Sequence, residues 1–480
     1  MGDEGVLLHG AERILRGQRL YVDFFQFLPP GGFLITAAWL GLAGTSILSA
    51  RLLAIFTITG IACLIYLTCR QASKHSALSA IVAIGWLGMS QGFWTQLNHH
   101  WFTTLFSMIT LCATLASMAH SHRWLRPSIV AGVAAGASAM VTPTRGALAM
   151  MAGATAYLEV RRYKGEFFAY VLGCALVPMS LLAILLYLGM FVAAFDNVIL
   201  FAAKQYSAIQ NVPFGFGDTS QNWPLKYLFS LAALLTLIIC THDWHTFLRD
   251  RFLRILIAFG LAGFVGCFPR PDMAHIAFAA PLVFPLLLYC ITRITISWPK
   301  KYQFALLAYF IAIVVPSFVS FYWIAHRAVA SEIVTTARGN VAFLSESGVR
   351  ELMTRIAAAP STDAYLFYPY MPMLPFLTAR EHVSRYDIFV PGYTLPSQYH
   401  EACISSMRRA LWVVIDRNLT DAAFVNLFPS MRDATPPERI EFELALERGF
   451  ELVAREGAFE MRRRIKSVDE TVCANIWNTR

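Results

Sequence analysis

The chain has 480 residues, 57% of them hydrophobic and only 14% charged, with a mean hydropathy of +0.52. Soluble globular chains carry about 25% charged residues, so a wholly soluble protein is excluded and most of the chain belongs in lipid. The net charge of +9 does not signal nucleic acid, because Arg and Lys gather in short clusters between apolar runs, the positive-inside pattern of a multi-pass membrane protein.

The first thirty residues are polar and acid-bearing. Asp3-Glu4-Gly5 leads into Ala11-Glu12-Arg13-Ile14-Leu15-Arg16-Gly17 and then Pro29-Pro30-Gly31, which predicts a short interfacial helix closed by a loop. The apolar run 32–44 is too short to cross a bilayer comfortably and reads as a half-helix or re-entrant element. Longer runs follow at roughly 47–69, 77–97, 101–119, 127–143, 146–160, 167–193, 225–241, 253–268, 274–293 and 303–324, about ten spans in all. Five basic clusters alternate with them: Arg70/Lys74, Arg123/Arg126, Arg161/Arg162/Lys164, Arg249/Arg251/Arg254 and Arg293/Lys300/Lys301. Placing all five in the cytoplasm puts Asn98-His99-His100, Pro143-Thr144-Arg145, the long loop 194–224, Phe268–His275 and everything beyond Arg327 on the extracytoplasmic face.

After Ile324 acids and bases of both signs return. Helix-like runs at Gly348–Ala358, Ser397–Ala410 and Pro437–Gly449 alternate with strand-like runs at Asp363–Tyr368, Leu411–Asp416, Phe450–Arg455 and Phe459–Arg463. The expected fold is therefore mainly α, a polytopic helical bundle over 1–328 with a small extracytoplasmic α/β domain over 329–480. That domain shows no phosphate loop, nucleophile elbow or metal motif and reads as a lid or docking unit. Nine cysteines show no C-x-x-C spacing, which disfavours structural zinc. Cys403 and Cys473 lie in the polar part, where a disulfide and two free thiols are both open.

The strong polar residues of the membrane part fall on one face. Asp3, Glu4 and Asp23 supply acids, Arg145 and Arg270 fixed cations, and His99, His100 and His275 titratable rings. Intramembrane or membrane-mouth charges are costly and mark function. Guanidinium groups hold phosphate in a fork, and a carboxylate serves as general base toward a hydroxyl. A lipid-linked phosphate substrate suits the set. The bland alternatives are interfacial anchoring for Arg145 and Arg270, a simple ion pair for Asp272, a belt position for His99 and His100, and a solvated loop face for Lys204 and Tyr206.

The stretch Asp3-Glu4-Gly5, then Ile14-Leu15-Arg16-Gly17-Gln18-Arg19-Leu20-Tyr21-Val22-Asp23, Pro29-Pro30-Gly31, Gly44-Thr45-Ser46 and Ala50-Arg51-Leu52 resembles the opening of GT-C membrane glycosyltransferases. The branch it is similar to is that of dolichyl-phosphate-mannose protein mannosyltransferase-like and aminoarabinose transferase-like enzymes. Thr142-Pro143-Thr144-Arg145-Gly146 resembles that branch's Thr-Lys-Gly turn with Arg for Lys, and Arg270-Pro271-Asp272-Met273-Ala274-His275 resembles another of its turns. The resemblance implies transfer of a sugar from a polyprenyl-phosphate donor to a glycan, lipid or protein acceptor in a bacterial envelope. Catalysis falls to Asp3 as base with Glu4 beside it. Donor phosphate falls to Arg145, Arg270 and His275, and substrate contacts to Asp23, His99, His100, Lys204 and Asp272. The family places a transmembrane helix ahead of its Asp-Glu motif, so an upstream helix is expected. The adjacent carboxylates permit a divalent cation, with no full ligand set evident. A transporter of lipid-linked sugars is the alternative; no nucleic-acid partner is expected.

Overall fold

The computed structural model describes residues 2–91, 96–119, 125–157, 164–242, 249–297, 300–344, 347–431, 436–467 and 469–477. Arg123, Arg161 and Arg162, expected in basic clusters, lie outside the described residues.

The chain opens with α1 (Gly2–Leu15), α2 (Pro30–Ala43), α3 (Ile47–Ser73), α4 (Ser76–Gln91), α5 (His99–Ala119), α6 (Leu125–Val141), α7 (Pro143–Ala154) and α8 (Lys164–Tyr187). Then come α9 (Phe191–Phe195), a π-helical stretch Asp196–Tyr206, α10 (Trp223–His242), α11 (Arg251–Val265), α12 (Met273–Ala279), α13 (Phe284–Ser297) and α14 (Lys300–Val329). Among the described residues the apolar runs of the sequence are wound mainly as helix. Among the described residues four helices are long and apolar enough to cross a membrane: Ile47–Ser73, His99–Met118, Lys164–Tyr187 and Trp223–His242. The pair Met273–Leu282 and Phe284–Ile294, bent by 58°, supplies a fifth if it counts as one crossing. Pro30–Ala43, Ser76–Gln91 and Arg126–Val141 are shorter apolar helices of 10–17 residues, so the crossings identified among the described residues are fewer than the ten or so expected from the sequence.

Two devices hold these helices together. Hydroxyls in the apolar stretches bond back to carbonyls one turn earlier, as Thr57 does to Leu53 at 2.8 Å and Thr110 to Phe106 at 2.9 Å, which satisfies them without water. Elsewhere backbones touch directly. A Cβ on Gly132 would lie 2.1 Å from the carbonyl oxygen of Tyr170, so the Gly132-x-x-x-Gly136 face of α6 packs on α8 with no side chain between them.

The C-terminal part carries a hairpin β1 (Ser331–Thr336) and β2 (Gly339–Leu344), then α15 (Val349–Ala358), β3 (Ala364–Tyr368), α16 (Met373–Thr378) and β4 (Glu381–His382). It ends with α17 (Pro396–Arg409), β5 (Trp412–Asp416), α18 (Asp421–Leu427), α19 (Pro437–Gly449), β6 (Phe450–Glu456) and β7 (Phe459–Arg464). The five-stranded sheet has order β4-β3-β5-β7-β6, with β4, β3 and β5 parallel and the β5–β7 and β7–β6 pairs antiparallel. Cys403 of α17 and Cys473 are joined as a disulfide, their Cα atoms 5.9 Å apart.

The first thirty residues differ from expectation. α1 is a full helix, and from Glu4 to Arg13 every residue is buried. It lies between α2 and α16, in one hydrophobic core that runs from Val6, Leu7 and Phe33 to Leu352, Phe376 and Met461 of the C-terminal part. The reason is charge pairing. Glu4 bonds Arg51, Glu12 bonds Arg16 and Arg338, and Arg13 faces Asp387 at 3.8 Å. Paired charges can be interred, so residues that look solvated in sequence sit inside. The stretch 194–224 is likewise more than a loop, since it is helical from 196 to 209.

Candidate active site

A cavity of about 520 Å³ lies where the ends of the membrane helices meet the C-terminal domain. One wall is the first turn of α1 and the lead-in to α5, the floor is the turn before α12, and the roof is the segment after β3 with the C-terminal end of β5.

Asp3 stands at the wall. Asn98 Nδ2 donates to its Oδ2 at 3.1 Å, and the Tyr370 hydroxyl donates to its Oδ1 at 2.9 Å. Burial, and then the Asp3 carboxylate itself, push the Tyr370 hydroxyl well above its ordinary pKa, so Tyr370 stays a donor. Each Asp3 oxygen keeps a lone pair for another group. Glu4, one position on and rotated about 100° around the helix, points away: it accepts the Leu97 amide at 3.0 Å and the Arg51 guanidinium. The two carboxylates therefore do not face one point. Among the described residues no three His, Cys, Asp or Glu side chains converge as metal ligands.

Across the cavity Asp272 organises the floor. As the cap of α12 its Oδ1 accepts the His275 amide at 2.9 Å and His275 Nδ1 at 2.7 Å, while its Oδ2 accepts Arg270 Nε at 2.6 Å. Burial alone would raise its pKa, but these bonds from His275 and Arg270 outweigh burial and hold it at about 2. Arg270 is then spread three ways. Nη2 donates to the Leu427 carbonyl at 2.7 Å, the group lies 4.9 Å over the Phe428 ring, and Nη1 is buried with no partner among the described residues. A buried guanidinium N–H without an acceptor is costly and marks where an anion would sit.

The histidines take opposite tautomers. Arg145 Nη1 donates to His100 Nδ1 at 3.3 Å, which leaves the His100 hydrogen on Nε2. His275 donates through Nδ1 to Asp272, leaving its Nε2 as acceptor. The His99 and His100 rings are 4.0 Å apart, and those of His100 and His275 4.9 Å.

Of the residues expected at the site, Asp3, His99, His100, Arg270, Asp272 and His275 line the cavity together. Arg145 stands one layer behind. It donates to the Gly266 carbonyl at 2.8 Å, reaches the cavity through His100, and lines a void of about 20 Å³, its Nη2 without a partner among the described residues. Glu4 is behind the wall. Asp23 folds onto Arg19 at 3.1 Å and Lys204 is exposed, and neither lines the cavity. Asp23 is the acid of a local 19–23 turn, which is why it is held away.

Sequence reasoning missed Tyr370, Gln210, Asn98 and Asp416, all of which line the cavity. Gln210 is 2% exposed and its Nε2 has no partner among the described residues. The one available signal was Tyr368-Pro369-Tyr370, a polar turn at the C-terminal end of a parallel strand, where α/β sheets place their ligands.

No known family's sequence model and no curated protein sequence matches the chain. Solved structures do. The crystal structure of ArnT from Cupriavidus metallidurans in the apo state superposes with a TM-score of 0.57 at 12% identity, over 98% of this chain and 94% of that one. The same protein bound to undecaprenyl phosphate gives a TM-score of 0.54 at 13% identity, with the same coverage. At such identity the likeness is one of fold alone: the chain shares the fold of ArnT.

Proposed function

We propose, from that fold and this cavity, that the chain is an integral-membrane glycosyltransferase using a polyprenyl-phosphate sugar as donor. The observation that carries the reading is the opposition, across one 520 Å³ cavity, of a carboxylate with free lone pairs at Asp3 and an unpartnered guanidinium nitrogen at Arg270. The neighbour ArnT has been solved with undecaprenyl phosphate, a ligand of the same class.

In the reaction an acceptor hydroxyl lies against Asp3, which takes its proton as the oxygen attacks the anomeric carbon. The bond from that carbon to the phosphate oxygen breaks, and the polyprenyl phosphate leaves with the bonding electron pair. Arg270 Nη1 meets the charge that develops on the phosphate, which a fixed cation stabilises without reorganising. Asp272 holds Arg270 and His275 in place, and Arg145 sets the His100 tautomer from behind. Val6, Phe27, Leu28 and Ile388 give the cavity apolar walls that suit the first isoprene units. The acceptor is an envelope glycan, lipid or protein, and the C-terminal domain faces the periplasm. Its Cys403–Cys473 disulfide favours an oxidising compartment.

The test is transfer of radiolabel from polyprenyl-phosphate sugars to a membrane extract by the protein purified in lipid. Transfer by the native chain, abolished in Asp3→Asn while polyprenyl phosphate still binds, is the expected result. Binding without transfer by the native chain across a panel of donors would discard the enzyme reading.

A further inference from the structure

A second polar crevice, of about 210 Å³, opens in the C-terminal domain at the C-terminal ends of β3 and β5. Its position follows from topology. The chain leaves β3 through α16 for β4 on one side, and leaves β5 through α18 and α19 for β6 and β7 on the other. Parallel sheets bind ligands at such a switch point, outside the carboxyl ends of the strands. Asp416 and Leu419 line this crevice and the main cavity alike, so the two adjoin across that pair.

The chemistry of the walls narrows the ligand. Arg417 is spent on Glu460 at 2.8 Å and Glu447 at 3.4 Å, and Arg439 on Glu443 at 3.0 Å and on Asp421. Tyr368 donates to Glu443 at 2.7 Å. With both guanidinium groups already paired, nothing is reserved for an anion. The lining carries three carboxylates, Asp416, Asp421 and Glu443, against two guanidinium groups, which turns anions away. What is left over is Asp416, which accepts only the Asn418 amide, at 2.9 Å, and has no ion pair among the described residues. Burial raises its pKa from the ordinary value, as expected of a carboxylate short of donors. A neutral molecule with several hydroxyls supplies those donors, and Pro369 and Leu419 offer an apolar face to its C–H side.

We infer that this crevice is a saccharide subsite that holds a neutral sugar ring of the acceptor while the ring's neighbour reaches Asp3. The inference rests on the glycosyltransferase reading for its role, but the binding it asserts is measured separately. Asp416 is the hinge of the arrangement: it accepts hydroxyls of the seated ring at the edge of the reaction cavity. Phosphate-bearing and uronate rings are turned away by the paired walls.

The experiment uses the full chain in lipid nanodiscs and saturation-transfer NMR with free neutral trisaccharides, of hexose and of N-acetylhexosamine. A galacturonate trisaccharide is the anionic control, and polyprenyl phosphate binding is measured on the same samples. Neutral trisaccharides are expected to bind and the uronate not. Glu443 takes Tyr368 and Arg439 on Oε1 alone, which leaves Oε2 for a hydroxyl, so Asp416→Asn, and independently Glu443→Gln, which lines only the crevice, should each weaken neutral binding about tenfold or more, the loss of one charged hydrogen bond. Glu443→Gln should leave polyprenyl phosphate binding unchanged. Neutral binding that survives both substitutions, a preference of the native protein for the uronate, or no sugar binding while polyprenyl phosphate binds, each overturns the subsite. Loss of polyprenyl phosphate binding with neutral sugars still bound would instead sink the donor assignment and leave the subsite standing.

Discussion

Asp3 takes one hydrogen bond from each half of the molecule, Asn98 from the lead-in to α5 and Tyr370 from the segment after β3. The proposed base is thus aimed only when the C-terminal part is seated. Replacing the carboxylate by an amide, Asp3→Asn, keeps the shape but cannot take a proton, so kcat should fall about 10²- to 10⁴-fold with donor affinity retained. Tyr370→Phe removes a single aiming bond and should cost about tenfold in kcat. Steady-state kinetics with a labelled donor separates the two, and equal losses would mean that Asp3 is not the base. On the other wall, Arg270 uses its whole fork: Nε to Asp272, Nη2 to the Leu427 carbonyl, and Nη1 to the cavity. A lysine has the charge but cannot make three such bonds at once. Arg270→Lys should therefore raise the donor KM by roughly tenfold or more, and an unchanged KM would remove Arg270 from the phosphate. Asp272, held at about 2 by His275 and Arg270 against burial, stays ionised through the neutral range and adds no inflection to the activity profile there.

The contact of α1 with α16 carries the aiming, and it is a backbone contact. A Cβ on Gly5 would stand 2.3 Å from the Met373 nitrogen and 2.7 Å from its Cα, and backbone atoms cannot step aside. Gly5→Val should push the helices apart, destabilise the seated domain by about 1–3 kcal/mol, and lower activity through the Asp3–Tyr370 bond. Thermal unfolding and transfer assays on one preparation check it; a variant with native midpoint and rate would show that the contact is not needed. At this scale the sequence was readable wherever one pattern dominated. The apolar runs became α3 to α14, and the alternating pattern placed β3, β5, β6 and β7 within about two residues. It failed where tertiary pairing overrode composition. The acids and arginines of α1 look solvated until Arg51, Arg338 and Asp387 are brought to them from far along the chain, Glu4 with Arg51 at a separation of 47 and Glu12 with Arg338 at 326. α16 and β4 are 6 and 2 residues long, too short for any periodicity to register.

The whole molecule is two layers sharing one core, and that is why half the site was legible and half was not. Asp3, Arg270 and His275 stand out as charges beside apolar runs, whereas Tyr370 and Asp416 matter only because strand ends come to rest above the membrane helices, which no local pattern encodes. The seat of one layer on the other is a buried polar cluster, and it makes stability depend on pH. His9 Nδ1 donates to Asp387 Oδ1 at 3.0 Å, Gln26 Nε2 donates to Asp387 Oδ2 at 3.3 Å, and Arg13 stands 3.8 Å away. His382 lies beside them, 3.8 Å from Asp387, with both ring nitrogens engaged: Nε2 donates to the Tyr386 carbonyl at 3.0 Å, and Nδ1 accepts the Phe367 amide at 3.3 Å. Protonating Nδ1 would set one N–H against another. Burial accordingly pulls the His382 pKa down to about 4, Asp387 opposing, against about 6.5 for an unfolded histidine. Between those values the unfolded chain binds more protons than the folded one, so stability is full above about pH 6.5 and falls as the pH drops toward 4. The interval corresponds to at most ~3 kcal/mol. Asp387, whose pKa His9 and Arg13 hold below the carboxylate range despite burial, adds a further loss below about pH 4. His382→Gln offers the same carbonyl to Phe367 and the same N–H to Tyr386 without a titrating proton. Its unfolding midpoint should stay nearly level from pH 6.5 to 4.5 while that of the native chain declines, and parallel declines would place the acid sensitivity elsewhere.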